Sequence, residues 1–453
     1  MPPYILINPH VKIRWTETSQ KEIIQAVHTT TGKPFTLNKK TLNLLTLCDG
    51  TKTCQEIIAE FKKGSPDTEN QSILKAIQTL VEKNIVLEKE SAGKSLNPIS
   101  HAHLVYPLRV VTWEITNICN LRCLHCYNDA GLHRKQFFSL EEINCIIDKL
   151  DKMNVGRISL SGGEPLMHPH FLDIIATLKK RGIPWSLFSN AVLIDEEMAK
   201  ILVDYGIRKM TTSIDGSTAE SHDFLRGVPG SFEKTIHAIK ILKGYNIPIE
   251  ARCALHKKNL RKMPDILALL DSLGIDTYIV AEITSLRPQP LQKTQEAQTP
   301  QTHNNAELTI TAEDYIKVLP DIIKAEYKIF GRSQCVPDPD PHLKNCGGGA
   351  SSFLIKPDGT MVPCPFSDPE FFSFGNAVTD NIKKAWDTAK ILKKMRTFDF
   401  RSIRECSTCK YQIYCNGGCP VKKYKYYNDA FALDSSVCNV METMEPFFGT
   451  PDV

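Results

Sequence analysis

At 453 residues, with 42% hydrophobic and 23% charged residues, the chain has ordinary globular composition and length enough for about three domains. A formal charge of +4 is too small a surplus to imply nucleic-acid binding, and no apolar run approaches the roughly 18 residues of a membrane span. The first residues lack the apolar core of a secretory signal, so a cytoplasmic protein is expected, in which fifteen cysteines point to metal ligation rather than disulfides.

Residues 1–92 read as a small strand-and-helix unit. Val11, Ile13 and Trp15 alternate with polar residues as in a half-buried strand, and residues 35–37 add a short second one. Leu42, Leu45 and Cys48 form an apolar helical stripe that stops at Asp49-Gly50. Thr53 and Glu56 then make a capping box for the next helix, and Ile73, Ile77, Leu80 and Val81 line a third. Residues 92–107 have no periodicity and read as a linker.

From residue 110 to about 283, six short apolar strands (VVTWEIT, RISLSG, WSLFSN, KMTTSID, IPIEARCAL, DTYIVAEI) alternate with helix-length stretches. That pattern predicts an α/β fold, a partial (β/α)6 barrel over residues 108–285 whose active site sits at the carboxyl ends of its strands. Cys119, Cys123 and Cys126 follow the first strand with spacings that let one loop wrap one cluster. Three ligands leave one iron of a four-iron cluster open for catalysis, whereas a zinc knuckle wants a fourth ligand that does not lie nearby.

This CxxxCxxC loop after a first barrel strand resembles the signature of the radical S-adenosylmethionine superfamily. The resemblance implies that the open iron chelates S-adenosylmethionine and that an electron from the cluster breaks a carbon–sulfur bond to give a 5′-deoxyadenosyl radical. It further implies that His125 packs against the adenine. Gly162-Gly163-Glu164-Pro165 after the second strand is similar to the family's GGEP motif, its glycines letting the backbone approach the methionine amino group. Ser189-Asn190 and Ser213 with Asp215 lie where the family contacts ribose and methionine; for each, a capped helix start is the alternative. In the fifth strand, alternation puts Glu250 and Arg252 on one face, where the Arg252 fork suits a carboxylate, and Cys253 on the other as a core thiol.

Residues 286–308 are polar and aperiodic, a helix follows at about 311–329, and the stretch 286–334 connects to a cysteine-rich segment at 335–453. There Cys346, Cys364, Cys406, Cys409, Cys415, Cys419 and Cys438 have the order and spacing of the SPASM domain, which this segment resembles and which holds two auxiliary four-iron clusters. The resemblance assigns Cys406, Cys409, Cys415 and Cys438 to the outer cluster and Cys346, Cys364 and Cys419 to the inner one, three [4Fe-4S] clusters in all. Either Cys335 supplies the inner cluster's fourth ligand or that iron stays open for substrate. Asp358-Gly359 reads as a hairpin turn that returns Cys364 towards the cluster.

Residues 1–92, through LNKKTLNLLTLCDGTKTCQEIIAEF, resemble the PqqD-like leader-recognition domain, a winged-helix-like unit that takes a leader peptide as an added strand, here on the Val11–Trp15 edge. The three resemblances imply a maturase that forms thioether crosslinks in a ribosomally made precursor peptide, with an electron donor such as flavodoxin or ferredoxin as second partner. Carbon–carbon crosslinking is an alternative. So is epimerisation, for which Cys253 or Cys335 is the candidate hydrogen donor. A sulfatase-maturing enzyme fits less well, because Pro365 follows Cys364 where that group has an Asp. An electron carrier leaves the Gly162–Pro165 turn unexplained.

Overall fold

The computed structural model describes residues 3–17, 22–29, 34–93, 99–133, 136–282, 308–338, 340 and 346–448; the polar stretch expected at 286–308 lies outside them, save Leu308. Among the described residues, seven strands form the N-terminal part: β1 (Tyr4–Ile7), β2 (Val11–Glu17), β3 (Glu22–His28), β4 (Pro34–Leu37), β5 (Asp49–Thr53), β6 (Val86–Lys89) and β7 (Ser100–His103). They make two sheets, ordered β5-β1-β6 and β4-β3-β2-β7. Helices α1 (Lys39–Leu47), α2 (Cys54–Gly64) and α3 (Asn70–Glu82) pack on them, and the Thr53/Glu56 capping box opens α2 as its sequence dictates. Ile5, Val11, Ile13, Leu45, Ile57 and Ile77 belong to one buried core.

Alternation along β2 separates two jobs. Val11 and Ile13 enter that core, while Lys12 and Arg14 on the other face meet Asp151 of the next domain at 2.8 and 3.3 Å. The expected free edge of β2 is not free. β3 pairs with it antiparallel along its whole length, and β7, from the segment read as linker, pairs with it in parallel from Arg14↔Ser100 to Glu17↔His103. The sequence SHAH lacks a strand's apolar alternation; backbone pairing and the stacking of Trp15 on His101, with centroids 3.6 Å apart, hold it there.

All six barrel strands form where expected: β8 (Val110–Thr116), β9 (Arg157–Gly162), β10 (Trp185–Phe188), β11 (Met210–Ser213), β12 (Ile249–Leu255) and β13 (Tyr278–Glu282), all parallel. Between them run α4 (Leu140–Lys152), α5 (Phe171–Lys180), α6 (Glu196–Asp204), α7 (Ala219–Arg226), α8 (Ser231–Gly244) and α9 (Met263–Ser272). Trp113, Ile115, Leu160, Trp185 and Leu187 are fully buried, as strands covered on both faces require. α10 (Ala312–Phe330) then leads into the cysteine-rich region.

The barrel sheet does not end at β8. β14 (Ser352–Ile355) pairs in parallel with it, and β15 (Met361–Val362) returns antiparallel through the Asp358-Gly359 turn, where Gly359 has φ 86°. The C-terminal region therefore shares a sheet with the barrel. No helix among the described residues is long and apolar enough to cross a membrane.

Candidate radical site

At the carboxyl end of the sheet, the loop after β8 is stitched to the end of α7: Arg122 N donates to Arg226 O at 3.1 Å and Leu124 N to Leu225 O at 2.9 Å. Gly227, at φ 70°, permits this approach, since a Cβ there would lie 2.4 Å from Arg122 O. The loop brings Cys119, Cys123 and Cys126 to one cavity of about 200 Å3, together with His125, Gly162, Gly163, Ser189, Asn190, Ser213 and Arg252. Those ten expected residues converge.

Glu164, Pro165 and Asp215 do not line this cavity; they build it. Glu164 is fully buried and accepts from Asn190 N at 2.9 Å and Leu166 N at 3.2 Å, so it fixes the β10 turn that carries Ser189 and Asn190. Burial pushes its carboxyl up to about 7, against the pull of those donors. Pro165 opens the short turn Pro165–Met167. The glycines serve packing too: a Cβ on Gly162 would lie 2.2 Å from Thr116 O, and one on Gly163 2.2 Å from Ile118 O. They are small because the β9 turn lies against the cysteine loop itself.

Asp215 is fully buried beside Arg226, 2.5 Å from Nη2, and accepts from Ala254 N at 2.7 Å. Burial works against its charge, but Arg226 holds it below the ordinary carboxylate range. Arg226 in turn points Nη1 at Cys123 Sγ, 3.6 Å away. The sequence reading missed this arginine, whose one local signal is its place at a helix end before a left-handed glycine. Arg252 reaches the cavity while paired to Glu250 at 2.9 Å, and Cys253 on the opposite face is 3% exposed against Met263 and Asn259.

The cavity suits a polar ligand. His125 Nδ1, Thr211 Oγ1 and Arg226 Nε are buried on its walls with no hydrogen-bond partner. Burial and Arg226 hold His125 down at about 4, so its ring is neutral. Burial pushes the Cys119 thiol up to about 12, while Leu121 N donates to its sulfur at 3.4 Å and Ala130 N to that of Cys126 at 3.3 Å. Buried thiols with aligned N–H donors are suited to a metal, whose charge replaces the proton.

The C-terminal cysteines sort into two groups. Besides burial, Cys364 is pushed up by Cys419 and Cys346, and Cys346 by Cys419. Cys406 is pushed up by burial, then by Cys438, Cys415 and Cys409. Cys335 stands with neither group: its thiol lies 3.6 Å from Glu326 Oε1 and accepts from Tyr315 Oη at 3.9 Å. Among the described residues, no three His, Cys, Asp or Glu side chains converge as the ligands of a single bare ion would. A second cavity, of about 860 Å3, runs from Tyr127, which also lines the first, to Cys419, with Tyr315, Phe366 and Tyr424 on its walls.

The chain is an enzyme that uses [4Fe-4S] clusters and S-adenosylmethionine, as the family matches of two of its segments show. Residues 113–270 match the Radical SAM superfamily, and residues 346–410 match SPASM, an iron-sulfur cluster-binding domain. The chain is similar to the mycofactocin maturase MftC of Mycobacterium ulcerans (strain Agy99), 29% identical over 69% of this chain and 83% of that protein. It is also similar to the antilisterial bacteriocin subtilosin biosynthesis protein AlbA of Bacillus subtilis (strain 168), 26% identical over 85% of this chain and 84% of that one. Solved structures of Streptococcus suis SuiB, bound to S-adenosylmethionine or to its precursor peptide SuiA, share the fold with a TM-score of 0.59 over 95% of this chain and 99% of SuiB, at 15% identity.

Proposed function

We propose that the chain is a maturase that forms cysteine-to-carbon thioether crosslinks in a ribosomally made precursor peptide. The observation that carries this reading is the large cavity joining the cysteine loop, at Tyr127, to the inner cysteine group, at Cys419. It has room for a peptide segment and reaches both metal regions. The names of MftC, AlbA and SuiB's bound precursor support a peptide substrate.

In this reading Cys119, Cys123 and Cys126 hold the catalytic cluster. Cys406, Cys409, Cys415 and Cys438 hold the outer auxiliary one, and Cys346, Cys364 and Cys419 the inner. Bound cluster and S-adenosylmethionine supply a carbon-centred radical able to take hydrogen from an unactivated carbon. The chain's own residues do the positioning: His125, Asn190, Ser213 and Arg252 line the ligand cavity, while Glu164 and Asp215 act through the Asn190 turn and Arg226. Tyr127, bonded to buried Glu114 at 2.8 Å, stays a neutral phenol at the junction of the two cavities. Residues 1–92 recognise the leader, the enzyme works in the cytoplasm, and a flavodoxin or ferredoxin delivers electrons.

Mass spectrometry of the precursor after anaerobic reaction tests this. Thioether formation removes the mass of one hydrogen molecule per bond and makes one substrate cysteine resistant to alkylation, because the thiol is consumed. Loss of the same mass with every cysteine still alkylatable refutes the thioether in favour of carbon–carbon bonding. Epimerisation is favoured by one observation, the contact of Cys335 with Tyr315 on the cavity wall; its signature is unchanged connectivity with deuterium gained from heavy water.

A further inference from the structure

We propose that the seam between the N-terminal sheet and the barrel floor binds an acidic, extended peptide segment through Arg14, Arg157 and Arg208. This rests on the peptide-maturase reading and adds a place and a chemistry by which the precursor is gripped. A cavity of about 520 Å3 opens there, between Arg14, Ile24 and Thr36 of the N-terminal sheet and Arg109, Arg157 and Arg208 at the amino ends of the barrel strands. Four guanidinium groups thus face one space. Among the described residues that line it, Glu22 is the one carboxylate, and it is already paired with Lys39 at 2.7 Å.

These arginines are short of partners. Arg14 is 2% exposed, and while Nη1 contacts Asp151 at 3.3 Å, its Nε and Nη2 are buried without a hydrogen bond. Arg157 Nε is buried and unpartnered as well. Among the described residues, Arg109, Arg157 and Arg208 form no ion pair. Burial and the neighbouring charge of Arg157 work against the cation on Arg208. Glu250 favours the cation on Arg157 but is itself paired with Lys209 and Arg252. Cations gathered at close quarters disfavour one another, and an incoming carboxylate relieves both the repulsion and the missing hydrogen bonds through bidentate pairing.

Shape selects a peptide over a compact anion. The cavity reaches Thr36 and Leu37 of β4, an end strand of its sheet, and Ile24, Leu37 and Leu108 lie among the arginines. A strand presents every second side chain to one face, about 7 Å apart. A segment in which acidic and apolar residues alternate therefore matches both the spaced guanidinium groups and the apolar wall.

The test is fluorescence anisotropy with the full chain and a labelled synthetic peptide of alternating glutamate and leucine, its glutamine counterpart serving as control. The glutamate peptide should bind at least about tenfold more tightly than the control, with an affinity that falls as salt rises. Arg157→Gln combined with Arg208→Gln should erase that preference while circular dichroism stays native. Should the double variant not fold, Arg109→Gln at the exposed rim should reduce the preference by a smaller factor. Equal binding of the glutamate peptide by wild type and variants, or binding of inorganic phosphate with none of the peptide, overturns the proposal. If the precursor still gains its modification while the variants bind the acidic peptide like wild type, the seam proposal alone fails and the maturase reading stands.

Discussion

The two ends of the barrel are both charged and both buried, yet they balance their charges in different ways. At the carboxyl end, Asp215 and Arg226 form a closed pair within one domain, and the arginine reaches on to the thiol of Cys123. At the floor, one carboxylate, Asp151, answers Lys12 and Arg14 from the N-terminal sheet as well as Arg181. A pair enclosed in one domain keeps its geometry whatever the neighbouring domain does. A single acid shared across a seam ties two domains together and leaves guanidinium donors over. The first arrangement preassembles a ligand cavity; the second makes a joint with guanidinium donors to spare.

Substitutions at each end sharpen this contrast, and the largest effect should come from the cysteine loop. Replacing Cys119, Cys123 and Cys126 together by Ala should remove about one cluster's iron in elemental analysis and abolish cleavage of S-adenosylmethionine, with the auxiliary iron retained. Next comes Asp215→Asn, which leaves Arg226 buried and uncompensated and should cost about 3–5 kcal/mol in chemical denaturation. Because the folded state holds the Asp215 carboxyl below its ordinary range, the pair's contribution is complete above pH of about 4 and is lost as pH falls through and below that value. The stability gap between wild type and Asp215→Asn should therefore narrow in acid.

Asp151→Asn should cost somewhat less, about 3 kcal/mol, since its side chain is partly solvated, and should raise protease sensitivity in the N-terminal domain before the barrel. A barrel that loosens first would erase the distinction between the two ends. The smallest effect belongs to Lys39→Gln, which removes a cation 3.6 Å from the Trp15 ring and an exposed bridge to Glu22, worth about 1 kcal/mol or less in thermal unfolding.

What the sequence revealed follows from how locally each feature is encoded. The six barrel strands and the Thr53/Glu56 cap were legible because apolar runs and caps declare themselves within a few residues. Spacing alone grouped Cys119, Cys123 and Cys126 at one cavity. β7 was not legible, because SHAH has no pattern of its own and its structure depends on a partner strand far upstream. The pairing of Arg226 with Cys123 was equally hidden, since a loop and a helix end more than a hundred residues apart create it. Glu164 and Asp215 were recognised as site residues, but their work of holding a turn and an arginine became visible through their partners.

The parallel pairing of β14 with β8 has a consequence for how the chain is made. Until Ser352 leaves the ribosome, the edge of Val110–Trp113 that β14 covers lacks that partner, and about 240 residues must be added first, roughly 12–50 s of synthesis. Throughout that interval a nascent barrel offers an unpaired strand edge, a template for pairing with other nascent chains. A chain stalled or cut before residue 352 never closes it. The hairpin of β14 and β15 thus covers the barrel's edge from within the same chain, so that edge is complete only once the C-terminal region is in place.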